Sequence, residues 1–182
     1  LSEIVYNELN KLGGLWIYAI SGNHDIKKVS RVGNPPYSWL YTVERYGIEI
    51  IDYTTRILSG YHKEIEVHGV PYIDNNIGVS KYLSELKLDK SKEHILLLHT
   101  DYPGAKDTDG REIDSVENLN LNTLNRFDLV LCGHIHKPQR LGKKVYMIGA
   151  PNQQRRTDKN CKLGYWKIYE DLSMEFVPLK GF

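Results

Sequence analysis

Cysteine is nearly absent. Cys132 and Cys161 are the only two in 182 residues, too few for a disulfide framework, and they read as one buried thiol and one loop thiol in a reducing compartment. Long apolar runs are missing too: nothing approaches the roughly 18 apolar residues needed to cross a bilayer, and the first residues lack a signal-peptide layout. The net charge is only +1, which by itself points to no partner. Repeats, low-complexity segments and boundary-marking linkers are also lacking. A chain of this length is expected to form a single domain over 1–182, with one substantial core and no room for two comfortable ones. It begins with Leu1 rather than Met, which suggests that the gene product starts further upstream.

What is present is a soluble, globular composition, 41% apolar and 26% charged, with a recurring pattern. Leu1, Ile4, Val5, Leu9 and Leu12 are spaced as one helical face, and Gly13-Gly14 closes that helix. The apolar run "LWIYAI" (15–20) follows and fits a strand buried on both faces. "VSKYLSELKL" (79–88) and "HILLLH" (94–99) repeat the helix–strand order, as do a weaker helix at 115–127 and "DLVLCG" (128–133). Between them, "GIEIIDY" (47–53) and "KEIEVHGV" (63–70) alternate like half-exposed strands. The end is strand-rich: 144–149, 164–170 and 173–179. This order predicts an α/β fold with a mixed sheet, in two packed sheets flanked by helices. Pro35-Pro36 and 100–114 read as surface loops.

Three of the predicted buried strands end in residues of metal-ligand type. "LWIYAI" runs into Ser21-Gly22-Asn23-His24-Asp25, "HILLL" into His99, and "DLVLC" into Gly133-His134-Ile135-His136. In sheets of this class, loops beyond the carboxyl ends of strands converge on ligand sites, so loops about 75 and about 35 residues apart can meet. Neutral imidazole and amide oxygen suit manganese, zinc or iron, and His-x-His can offer nitrogens to neighbouring ions. Gly22 and Gly133 are expected to let the backbone turn sharply before each ligand. Any one of these pieces alone is ordinary turn material; their order, each after a buried strand, is what points to a metal. His62, His68 and His94 have no such setting and read as solvated or packed.

"GNHD", "LLLHTD" and "GHIH" in this order resemble the last three motifs of the calcineurin-like metallophosphoesterase superfamily. "LVLCGHIHKPQ" followed by "VYMIGAPNQQRRTDKNCKLGYWKIYE" further resembles the SbcD-type DNA repair nucleases, especially the shorter recombination endonuclease subunits of bacteriophages. The resemblance implies a metallophosphoesterase fold and phosphodiester hydrolysis of DNA with two manganese ions. It implies that Asn23, His99 and His134 bind one ion and His136 the other. His24 would touch the scissile phosphate or assist the leaving oxygen, and Asp25 would orient His24 by a hydrogen bond. The implied partners are DNA, an SbcC-type ATPase and a second copy in a homodimer, with no membrane, in the cytoplasm of a bacterial or phage-infected cell.

The family also opens with Asp-x-His and Gly-Asp-x-x-Asp, and neither occurs in these 182 residues. The chain is therefore expected to be N-terminally truncated, with an impaired centre: the His136 ion lacks its other ligands, and the remaining ion lacks a carboxylate.

From Lys137 to Lys162 eight basic residues face one acidic residue, Asp158. In a DNA enzyme this would be the phosphate-contacting flank, with Lys137, Arg155 and Arg156 the foremost candidates, whereas a solvated hairpin needs no such role. The acidic stretch around Asp107-x-Asp109-Gly110 does not follow a calcium-loop ladder and reads as a solvent loop. Tyr37, Trp39 and Tyr41 read as packing residues in preference to a stacking platform. Two rival functions stay open: a general phosphodiesterase or phosphatase, and a non-catalytic module binding DNA or an ATPase.

Overall fold

The computed structural model describes residues 11, 16–27, 37–60, 63–73, 76–113, 119 and 121–179. The helix expected over 1–12 lies outside them except for Lys11, as do Pro35-Pro36, His62, most of the start of the 115–127 helix, and the side chains of Tyr37 and Trp39.

Among the described residues the strands are β1 (Ile17–Ala19), β2 (Ile26–Lys27), β3 (Tyr37–Ser38), β4 (Ile48–Ile50), β5 (Thr55–Ser59) and β6 (Glu64–Val70). They continue with β7 (Glu93–His99), β8 (Leu129–Gly133), β9 (Gln139–Leu141), β10 (Val145–Met147), β11 (Gly164–Ile168) and β12 (Met174–Pro178). A six-stranded sheet runs β5–β6–β7–β8–β10–β9. Its inner neighbours are parallel and its two edge strands antiparallel. β1 pairs with β4 in parallel and β11 with β12 antiparallel.

The apolar run of β7 explains its central place. Leu96 and Leu98 point to the helix-covered face, where Val79 and Leu83 of α1 (Asn76–Glu85), Leu124 of α2 (Leu121–Leu124) and Phe127 pack on them. Ile95 points to the other face, joined by Val67, Leu129 and Tyr146, and is covered by Tyr18, Ile20, Trp166 and Met174 from the two smaller sheets. The expected sandwich of two sheets with flanking helices is therefore the observed fold. Each fully buried aliphatic side chain in these layers contributes about 1.5–3 kcal/mol. Arg126 closes α1 from outside, its guanidinium donating to the carbonyls of Leu83 and Leu86 at 2.7 and 2.6 Å, which satisfies acceptors that the helix end leaves open.

Three local expectations change. β1 is only half-buried and Trp16 is 82% exposed, because β1 belongs to the thinner layer and turns one face, not two, to the core. β6 is not half-exposed throughout: Val67 to Val70 are all buried under that layer and the helices. β5 and β9 escape sequence reading, being short and weakly alternating.

One polar group is carried into the core. His68 is 2% exposed, and burial, with His94 nearby, pushes its imidazole down to about 4 despite Glu66. Between that value and the ordinary 6.5 the unfolded chain binds the proton and the folded one does not, so stability rises with pH there. Chelator-treated protein is expected to lose about 2 kcal/mol of unfolding free energy between pH 7 and pH 5 from this group. His68→Gln should flatten that part of a urea-denaturation pH series; an unchanged slope would contradict the assignment.

Candidate functional site

The three expected loops meet. Gly22, Asn23, His24, Asp25, His99, His134, His136 and Arg155 line one cavity of about 430 Å³ at the carboxyl ends of β1, β7 and β8. His99, the last residue of β7, is the centre: its Nε2 lies 3.0 Å from Asn23 Oδ1, and its ring centroid is 5.3 Å from that of His134. Tyr72 lies edge-on to His99 and stacks on His134, 6.0 Å from each. Burial is the main reason that the His99 imidazole falls to about 4, with further lowering by His134, His24 and His136. His134 is also lowered, by burial first; Asp101, 3.4 Å away, opposes this and Arg155 adds to it. An imidazole whose pKa is lowered in this way keeps its lone pair at neutral pH.

The glycines act otherwise than expected. Neither Gly22 nor Gly133 has a positive φ; the left-handed position is taken by His134 itself, at φ +96°, a strained conformation for a residue with a side chain. What the glycines supply is room. Gly133 stands beside His99 in the β7–β8 register, and a Cβ there would lie 2.9 Å from His99 Nδ1; a Cβ on Gly22 would lie 2.7 Å from His99 Cε1. The imidazole is slotted between two bare backbone positions.

The "GNHD" loop is tied down by residues that carry no motif. Ser21 is fully buried, and its N–H and Oγ donate to the Asp52 carboxylate at 2.8 and 2.6 Å, which also accepts from Tyr41 at 3.1 Å. Burial and that carboxylate push the Tyr41 phenol up to about 12. Asp25 departs from its expected role. Its carboxylate accepts the Gly22 N–H at 2.8 Å, while its own N–H donates to Gly22 C=O at 3.1 Å. A short acidic side chain closes its own turn more readily than it reaches a neighbour. His24 instead faces Arg155, with Nε2 3.5 Å from Nη2.

His136 is oriented by a residue that sequence reading counted only as a charge. Asp158, fully buried, accepts His136 Nδ1–H at 2.9 Å and the N–H groups of Arg155 and Gln154 at 2.7 and 3.0 Å. Burial works against the ionised carboxylate, but these donors outweigh it and hold its pKa below the usual range. With Nδ1 donating to Asp158, Nε2 is the nitrogen His136 has left to offer a metal ion. Asp158 Oδ1 is buried with no hydrogen-bond partner among the described residues. A second cavity of about 300 Å³, lined by Asp101, Asp107 and Asp158, shares His134, His136 and Arg155 with the first.

The structure thus brings together Asn23, His24, Asp25, His99, His134, His136 and Arg155. It does not bring Arg156, which lines a separate cavity with Asp109 and Lys159, nor Lys137, which lines neither of the two. Asp158, Asp52, Tyr72 and Asp101 were missed as site residues. Their signal is spatial, apart from Asp158 as the lone acid in a basic tract. Neutral imidazoles beside an amide oxygen are a donor set that fits a divalent transition-metal ion.

Cys132 is buried, its Sγ donating to Thr100 C=O at 3.2 Å, and burial pushes its thiol up to about 12. It is an inert core residue. Among the described residues no helix is long and apolar enough to cross a membrane.

Comparison with known proteins matches the calcineurin-like phosphoesterase family over residues 2–138. The SbcD component of nuclease SbcCD from Staphylococcus epidermidis is 24% identical over 184 aligned positions, covering 90% of this chain and 49% of that protein. A Staphylococcus aureus structure described as a 5′-nucleotidase in complex with α-ketoglutarate superposes with a TM-score of 0.52 at 14% identity, covering 97% of this chain and 39% of that one; it supports the fold alone. The chain spans about half the length of the curated relative it matches.

Proposed function

Because the chain belongs to the calcineurin-like phosphoesterase family, we propose that it hydrolyses phosphodiester bonds of DNA as an SbcD-type nuclease, with manganese as the metal and an SbcC-type ATPase as partner. The observation that carries this reading is the convergence of Asn23, His99, His134 and His136 on one cavity with Arg155 at its rim. Asn23, His99 and His134 would hold one divalent ion, and His136 would offer a donor to a second. Such ions supply Lewis-acid polarisation of a phosphoryl oxygen and lower the pKa of water.

The chain's own groups do the rest. His24, exposed at the cavity mouth and faced by Arg155, is placed to meet a phosphate oxygen or protonate the departing one. Arg155 offers a planar, permanently charged fork to the same phosphate. Asp158 fixes the His136 tautomer, and Asp25 holds the loop that presents Asn23. DNA is favoured over a small phosphodiester by charge. Between Lys137 and Lys162 the single acid, Asp158, is buried and engaged, whereas Arg140, Lys143, Lys144, Arg155, Arg156, Lys159 and Lys162 are exposed.

The test is hydrolysis of a DNA oligonucleotide and of an aryl phosphodiester in Mn²⁺, alongside DNA binding across a salt series. The expected result is salt-sensitive DNA binding and Mn²⁺-dependent cleavage abolished by His134→Asn. Arg155→Ala should weaken binding at all sequences and lower the log–log salt slope by about 1. Aryl-ester hydrolysis without DNA binding at low salt would indicate a general phosphodiesterase. Tight DNA binding with no cleavage in any metal would indicate a non-catalytic module.

A further inference from the structure

At the other end of the central strands, away from His99, lies a second cluster of donor atoms. Glu66 and His94 are direct neighbours in the β6–β7 register, and His68 follows Glu66 by two residues, so all three side chains share the helix-covered face. His68 and His94 are 2% and 4% exposed. His68 Nε2, His94 Nδ1 and Glu66 Oε2 are 3.1, 3.5 and 3.8 Å apart, so a point equidistant from them lies about 2.0 Å from each, the length of a zinc–imidazole or zinc–carboxylate bond.

The atoms behind the donors are arranged to support them. His94 Nε2 lies 2.9 Å from Asp89 C=O; a carbonyl only accepts, so Nε2 carries the proton and Nδ1 is bare toward the cluster. His68 Nδ1 lies 2.9 Å from Thr55 Oγ1, a hydroxyl that can donate or accept. Glu66 Oε1 is engaged by Lys92 Nζ at 2.8 Å, which leaves Oε2 for the imidazoles; Lys92 also pairs with Glu64 at 3.2 Å. An outer hydrogen bond on each imidazole and on the carboxylate is the support that metal-ligating side chains carry.

We propose that Glu66, His68 and His94 bind a zinc ion that ties β6 and β7 to the Asp89 loop. Its fourth position is left to solvent, from a cavity of about 300 Å³ that reaches His94 and Lys92. Two imidazoles and one carboxylate select zinc over magnesium or calcium, which prefer oxygen. Binding needs no net proton loss: the His68 ring proton leaves Nε2 for Nδ1, where Thr55 Oγ1 accepts it, and Nε2 turns its lone pair to the ion. Without the ion the same atoms form a closed relay, Thr55 to His68 to His94 to Asp89 C=O, so the metal-free protein can still fold.

The experiment is zinc titration of the chelator-stripped full chain carrying His99→Asn and His134→Asn, which takes two imidazoles away from the other candidate site. One equivalent of zinc is expected to bind and raise the thermal midpoint. Adding Glu66→Gln, which keeps size and hydrogen bonding, should weaken that binding at least about 100-fold, since ligand loss costs more than loss of an outer partner. Zinc-edge anomalous diffraction from soaked wild-type crystals provides a readout independent of any variant, and a peak equidistant from the three donors is expected. Anomalous density only elsewhere, or zinc binding indifferent to Glu66→Gln, overturns the proposal.

Discussion

Gly133→Ala is expected to lower both metal affinity and hydrolytic rate, the rate by about 100-fold, as displacement of a reacting constellation by about 1 Å does. The added Cβ would stand 2.9 Å from His99 Nδ1, closer than carbon and nitrogen pack. The ring cannot retreat toward Gly22, where its Cε1 already fills the space that a Cβ would take. Nor can it swing to the other side without leaving Asn23 Oδ1, 3.0 Å from Nε2. Overpacking of this kind costs about 1–3 kcal/mol of stability, so the variant should remain folded. Manganese affinity by calorimetry, with circular dichroism as the control, separates lost geometry from lost fold. Wild-type affinity in a folded Gly133→Ala protein would show that the space beside Gly133 does not set the position of His99.

The second large effect is expected at Asp158. Its Oδ2 alone holds His136 Nδ1–H and two backbone N–H groups, and the carboxylate is fully buried. Asp158→Ala strips three part-buried donors of their acceptor, and an orphaned group costs up to about 1–3 kcal/mol according to its burial. A total near 3 kcal/mol is expected, as measured for breaking buried charged networks. Asp158→Asn keeps an oxygen acceptor and should recover part of that stability. It should recover less of the hydrolysis, because a neutral amide no longer favours the Nδ1–H tautomer of His136. A purely structural role predicts that rate and stability recover together. Denaturant unfolding and the pH–rate profile of the two variants tell these apart.

The site was legible in the sequence to the extent that strands announce their own ends. The run Ile95–Leu98 fixes where β7 is buried and therefore where His99 emerges, and the same holds for β8 and Gly133-His134. What was not legible depends on register and tertiary approach. Whether Gly133 turns a corner or makes room is decided by its position opposite His99 across the β7–β8 ladder, and glycine reads the same in either case. Asp25 carries a carboxylate suited to His24, but the three-residue reach to Gly22 N–H wins locally. Asp158 acts on His136 from 22 residues away, through a 3₁₀ turn (Arg156–Asn160) that no periodicity marks. Glu66, His68 and His94 meet only because β6 and β7 pair in one particular register. The basic tract shows the converse: its charge was plain, but only Arg155 among the foremost candidates reaches the cavity.

Asn23, His99 and His134 are proposed to hold one divalent ion together. Electron paramagnetic resonance counts free Mn²⁺ directly, and the most direct test is a manganese titration of the chelator-stripped chain and of its His99→Asn, His134→Asn double variant. The parent is expected to bind manganese and the double variant to lose it, with the fold of both intact. Equal manganese binding by the two proteins, or none by either at millimolar concentration, would contradict it.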